Sequence, residues 1–215
     1  MMQFGESAVF CDDNSSLPRR TLRPLLAAAI AILLLGLSID ANAAQPTSAS
    51  KFGAHVYLLR GAFNIFSLGM DEIGSRLDQL GIPNTVTNYL DWQALADEAA
   101  AAYKSGRVRT IILVGHSSGA SAVTEMATRL SQLGVPVKLA IGLDPTSHET
   151  VTGHVSRYIN YYVAGGLGTT VNQGKQFNGS LTNVDMEKNR DIGHFNIDKN
   201  KALQDRVVRD ISAAL

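Results

Sequence analysis

Gly115, His116, Ser117, Ser118 and Gly119 form a G-x-S-x-G run, the pattern of a serine set on a tight turn to act as a nucleophile. A match of this kind arises by composition alone in roughly one chain in ten of this length, so the run says little without its surroundings. Its surroundings are selective. The run follows an apolar stretch at 110–114, and Val123, Met126, Ala127 and Leu130 recur after it at helical spacing. A sharp strand-to-helix turn would hold Ser117 in a strained conformation with its hydroxyl out over the strand ends, and glycines on either side leave room for close approach. The backbone N–H of Ser118, at the start of the helix, is then an unpaired donor suited to a developing oxyanion.

A serine hydroxyl needs a base within hydrogen-bond reach. Five histidines are available: His55, His116, His148, His154 and His194. His55 falls inside the first apolar run and reads as structural, and His116 sits within the turn, where it packs or lines the site. His148, His154 and His194 lie in segments between elements. A thiol nucleophile is excluded for the exported domain because Cys11 is the single cysteine. No cysteine cluster, no histidine pair at ligand spacing, no G-x-G-x-x-G and no P-loop is present, so neither a metal nor another cofactor is expected. With 19 basic and 19 acidic side chains, the chain has no basic excess to point to nucleic acid.

The elements that must position these residues are those of an α/β fold. Short β-rich runs at 55–60, 85–89, 110–114, 137–143, 155–162 and 181–185 alternate with helical stripes, which predicts a three-layer α/β/α sandwich with a mainly parallel sheet of about six strands. The stripes are Met70, Ile73, Leu77 and Leu80; Trp92, Leu95, Ala96, Ala99 and Tyr103; the set after Ser117, ending at Leu133; and Leu203, Val207, Val208 and Ile211, with Asp198 placed to cap the last helix. Leu77-x-Gln79-Leu80-Gly81-Ile82-Pro83 is echoed by Leu130-x-Gln132-Leu133-Gly134-Val135-Pro136, two helix exits with glycine at C′. The glycine-rich segment 164–180 reads as a surface loop bordering the site. Tyr158, Tyr161, Tyr162 and Phe177 are candidates either for a pocket wall or for the core.

In the G-x-S-x-G run and its strand-turn-helix context, residues 51–215 resemble the α/β-hydrolase superfamily, specifically small lipase, esterase and thioesterase-like members without a cap domain. The resemblance implies a nucleophilic Ser117, a catalytic histidine after the last strand, an acid between them, and a second oxyanion donor after the first strand. His194, in Ile192-Gly193-His194-Phe195, matches the histidine's place, with His148 and His154 as rivals. Asp144 ends the fourth strand, and no Asp or Glu lies between Glu149 and Asp185, which favours Asp144, with Asp185 and Asp191 as fallbacks. The amide of Ala62, or else of Phe63, would join that of Ser118 at the oxyanion. Arg60 stands where many relatives carry histidine. The function implied is cleavage of a small-molecule ester or thioester through an acyl-enzyme; the alternative is a noncatalytic binding module on the same scaffold.

Residues 1–43 have a signal peptide's layout: Arg19, Arg20 and Arg23 precede a run of 13 uncharged, mostly apolar residues at 25–37, and Ala41-Asn42-Ala43 supplies small residues for cleavage after Ala43. The run is short for a membrane span, which needs about 20 residues. A short linker, 44–50, would lead into the domain at 51–215. The expectation is an exported protein, periplasmic or secreted, with no stable membrane anchor after cleavage, and with either general or twin-arginine export.

Overall fold

A computed structural model describes residues 53–63 and 67–215. The signal segment, its cleavage point, Cys11 and the linker lie outside the described residues. In chain order the elements are β1 (Ala54–Arg60), α1 (Gly69–Gln79), β2 (Asn84–Asn88), α2 (Trp92–Lys104), β3 (Thr110–His116), α3 (Ser118–Gln132), β4 (Leu139–Leu143), β5 (Thr150–Val151), β6 (Arg157–Tyr162), β7 (Asn172–Gln173), β8 (Ser180–Asp185) and α4 (Lys201–Ala213). Six strands form one sheet in the order β2-β1-β3-β4-β6-β8, and every pairing is parallel. Parallel strands need crossovers, so their carboxyl ends share one edge, and the loops leaving that edge come together.

Side-chain alternation along the central strands divides the core in two. Val56, Leu58, Ile112, Val114, Leu139 and Ile141 face α1 and α4, where Met70, Ile73, Leu77, Val207 and Ile211 meet them. Tyr57, Leu59, Ile111, Leu113 and Ala140 face α2 and α3, against Leu95, Ala96, Val123, Met126 and Leu130. A sheet covered on both faces requires strands that are apolar on both sides, which is why β3 and β4 read as nearly continuous hydrophobic runs. The two echoed helix exits adopt one geometry. Gly81 and Gly134 take φ of 69° and 74°, and Ile82 and Val135 donate back to Leu77 and Leu130, both at 2.9 Å, closing a Schellman turn over a buried apolar pair.

Three sequence expectations are corrected. Asp198 does not cap α4; the side chain of Asn200 accepts from Leu203 N–H. Asp198 is instead fully buried and accepts from Gly69 N–H at 2.9 Å, supplying from a distant segment the cap that Leu68, at the N-cap of α1, lacks. Leu80 leaves its helix's buried stripe and is 52% exposed at the C-cap. Segment 164–180 is more than a surface loop: β7 pairs with β5, and Val171 and Phe177 are buried. Of the two readings open for the aromatics, Tyr158, Tyr161 and Phe177 take the core one.

Candidate active site

β3 continues straight into α3 through Ser117. Ser117 N–H completes the sheet by donating to Leu143 O at 2.9 Å, while Ser117 O accepts from Ala120 N–H at 2.9 Å and opens the helix. Serving both elements forces the residue to φ 57° and ψ −124°, a region that costs a non-glycine residue about 1–3 kcal/mol. The flanking glycines answer to contact. A Cβ on Gly119 would fall 2.1 Å from Leu59 O, and one on Gly115 would fall 2.2 Å from Gly119 O. α3 can therefore begin directly beneath β1 only with hydrogen at these positions.

Three groups converge at the carboxyl edge of the sheet. Ser117 Oγ lies 3.0 Å from His194 Nε2, and His194 Nδ1 lies 2.8 Å from Asp144 Oδ2. Asp144 is fully buried, and its second oxygen accepts from Val163 N–H at 2.7 Å. Because the carboxylate can only accept, the imidazole carries its hydrogen on Nδ1 and leaves Nε2 bare toward the serine hydroxyl. Asp144 sits at φ 54°, a left-handed position that a short polar residue tolerates. That bend at the end of β4 turns its side chain back toward the loop before α4.

The remaining candidates lie elsewhere. His148 and His154 are exposed, and His55 Nε2 meets Thr85 Oγ1 at 2.9 Å inside the sheet. Asp185 is exposed and accepts from Glu187 N–H. Asp191 is also exposed and receives the Asn196 side chain on its backbone carbonyl. Arg60, where the resemblance led to histidine, points to α1 and pairs with Asp71, so the loop after β1 is free of it. The amides of Ala62 and Ser118 have no hydrogen-bond partner among the described residues. Ser118 is the first residue of α3, so no preceding helical carbonyl exists for its N–H.

Two further residues meet at the site: Ser67, which no sequence pattern marks, and His116, whose place in the turn predicts that it packs or lines the site. His116 is 1% exposed. Its Nδ1 is 2.8 Å from Ser67 Oγ and its Nε2 is 2.8 Å from His194 O. Burial is the main force lowering its pKa to about 4, so the ring is neutral near pH 7. Ser67 Oγ also accepts from Gly61 N–H at 2.9 Å. No periodicity marks a contact between residues 67, 116 and 194, which is why only the fold reveals it. A cleft of about 360 Å³ is lined by Ser118 together with Tyr89, Leu90, Trp92, Thr146 and Ser147. Among the described residues no group of three His, Cys, Asp or Glu side chains could hold a metal ion.

The chain matches no model of a known protein family and no curated protein. Among solved structures it is similar to a Xanthomonas campestris pv. campestris protein named as a hydrolase of the alpha/beta superfamily, at 16% identity and a TM-score of 0.45, over 75% of this chain and 99% of the other.

Proposed function

We propose that this protein is a serine hydrolase, a minimal member of the α/β-hydrolase superfamily, that cleaves a small carboxylic ester or thioester through an acyl-enzyme. The observation that carries the reading is the unbroken hydrogen-bonded line from Ser117 through His194 to Asp144, set on a strained strand-to-helix turn. In this reading Ser117 Oγ attacks the carbonyl carbon as His194 Nε2 takes its proton. Asp144 holds the ring's tautomer and stabilises the imidazolium. The carbonyl oxygen, now negative, is received by the amides of Ser118 and Ala62, each such donor being worth about 2.7–4 kcal/mol in the barrier. The proton then passes from His194 to the departing alkoxide or thiolate, and water, deprotonated by the same nitrogen, releases the acid and restores the serine.

Residues 1–43 export the domain, which then acts in the periplasm or outside the cell. The test is covalent labelling of the purified domain with a fluorophosphonate, alongside Ser117→Ala and His194→Ala. Stoichiometric labelling lost in both variants supports the assignment. Absence of labelling and of p-nitrophenyl or thioester turnover in the unaltered protein would leave a noncatalytic binding module.

A further inference from the structure

Three segments build the proposed site: two leave the paired neighbours β1 and β3, while the third follows β8 at the far edge of the sheet, where no strand pairing ties it to the other two. The loop after β1 carries Gly61 and Ala62, the turn after β3 carries Ser117, and the loop before α4 carries His194. Their relative placement must hold to a fraction of an ångström for in-line attack, since a misplacement of 1 Å can cost about 10²-fold in rate. One side chain lies against the other two loops at once. His116 Nε2 reaches the backbone carbonyl of His194, and His116 Nδ1 reaches Ser67 Oγ, which in turn holds Gly61 N–H.

Every bond in this chain has a fixed direction. A carbonyl oxygen only accepts, so the hydrogen of the neutral ring is on Nε2, and Nδ1 is left as an acceptor. Ser67 therefore gives its hydroxyl hydrogen to Nδ1 while its oxygen receives Gly61 N–H. The series runs Gly61 N–H to Ser67 O–H to His116, and His116 N–H to the carbonyl of His194. The two imidazoles also pack, with centroids 5.2 Å apart at 38°. A leucine could fill this buried position without the desolvation that a polar ring incurs. Both nitrogens are spent on segments of the site, not on a neighbouring core group.

We propose that His116 and Ser67 are positioning residues that lock the oxyanion loop and the His194 loop into one register with the nucleophile turn. This rests on the serine-hydrolase reading above. Neither side chain exchanges a proton with substrate; each acts through the backbone it holds. A fully connected buried polar chain has one low-energy arrangement, because any slip leaves a desolvated group unpaired. That discrete arrangement is what a site assembled from three loops requires.

The experiment uses Ser67→Ala, His116→Leu, His116→Gln and the double variant Ser67→Ala/His116→Leu, each with kcat, KM, fluorophosphonate labelling rate and thermal midpoint. The expected result for His116→Leu is a fall in kcat and labelling rate of about 10²-fold with KM changed by less than about threefold. Ser67→Ala lowers kcat less, since it frees only Gly61. His116→Gln recovers part of the loss, because its amide N–H can still reach the carbonyl of His194. The double variant is no slower than His116→Leu alone, because residues that act as a unit do not add. Folded His116→Leu and Ser67→Ala proteins with kcat near that of the unaltered enzyme would overturn the proposal, as would losses that multiply in the double variant. If His116→Leu does not fold, Ser67→Ala and His116→Gln carry the same comparison, and unaltered kcat in both overturns it. An unaltered protein that neither labels nor turns over ester would instead defeat the hydrolase reading itself.

Discussion

The backbone of Gly168 rests against the carboxylate of Asp144: a Cβ on Gly168 would sit 1.7 Å from Asp144 Oδ1 and 3.0 Å from Val163 N. The contact wedges the glycine-rich segment after β6 against the carboxylate that meets His194. Gly168→Ala should therefore push the carboxylate off its bond to Val163 N–H or off His194. The expected cost is about 1–3 kcal/mol of stability, as for other overpacked sites, together with a fall in kcat larger than the stability loss explains at assay temperature. Urea unfolding and ester turnover on the same preparation check both. A Gly168→Ala protein with unaltered ester turnover would show that the loop yields without moving Asp144.

Ser117 supplies a second, opposite trade. Its φ of 57° and ψ of −124° lie where glycine has no Cβ to clash. Ser117→Gly should raise unfolding free energy by about 1 kcal/mol or more, the strain released, while abolishing fluorophosphonate labelling. Ser117→Ala keeps the Cβ and should gain less. Chemical denaturation of the three proteins side by side gives the order, and equal stability of the Gly and Ala variants would place the strain elsewhere.

Two buried groups should bend the stability of this fold with pH in opposite senses. His116 has a folded pKa of about 4 against an ordinary 6.5, so between those values the unfolded chain takes up a proton that the folded chain refuses. Its contribution is lost as pH falls through that window. Asp198, raised to about 6 from an ordinary 3.8 chiefly by burial, keeps a proton that the unfolded chain has released. Its contribution is lost as pH rises through 3.8 to 6. Each window spans about two units, or about 3 kcal/mol, and the two nearly cancel. Asp198→Asn should expose the histidine's slope, losing about 3 kcal/mol more than the unaltered protein between pH 6.5 and 4. Unfolding curves across that range decide it; parallel pH profiles would refute the opposition.

The layers of the fold were legible because the central strands of a doubly covered sheet must be apolar on both faces, and β1, β3 and β4 are written that way. The serine turn was legible because two glycines and a serine at fixed spacing follow such a strand. Asp144 emerged from the shortage of other acids between Glu149 and Asp185. What could not be read were contacts made by loops. Asp198 looked like a local cap for α4, and its carboxylate in fact reaches Gly69, more than a hundred residues earlier in the chain. Ser67 carries no periodic mark at all, yet its hydroxyl joins Gly61 to His116. Local patterns report which face of an element is buried, not which distant polar atom meets it.

Asp144→Asn offers a clean separation of chemistry from folding. Asparagine is among the few residues at home at a φ of 54°, it has the same size, and its amide oxygen can still accept from Val163 N–H. Stability should stay within about 1 kcal/mol. The amide's other terminus then meets His194 Nδ1 with a donor where a carboxylate accepted, so the ring is driven to the tautomer that carries its hydrogen on Nε2 and cannot take the proton of Ser117. The expected loss is about 10⁴-fold in kcat near neutral pH. Asp185→Asn, at an exposed carboxylate that caps the turn at Glu187, should leave kcat within about twofold, as surface changes remote from a site do. Steady-state turnover of a short p-nitrophenyl ester by both variants distinguishes the two carboxylates: a large loss in Asp185→Asn with little in Asp144→Asn would reassign the acid.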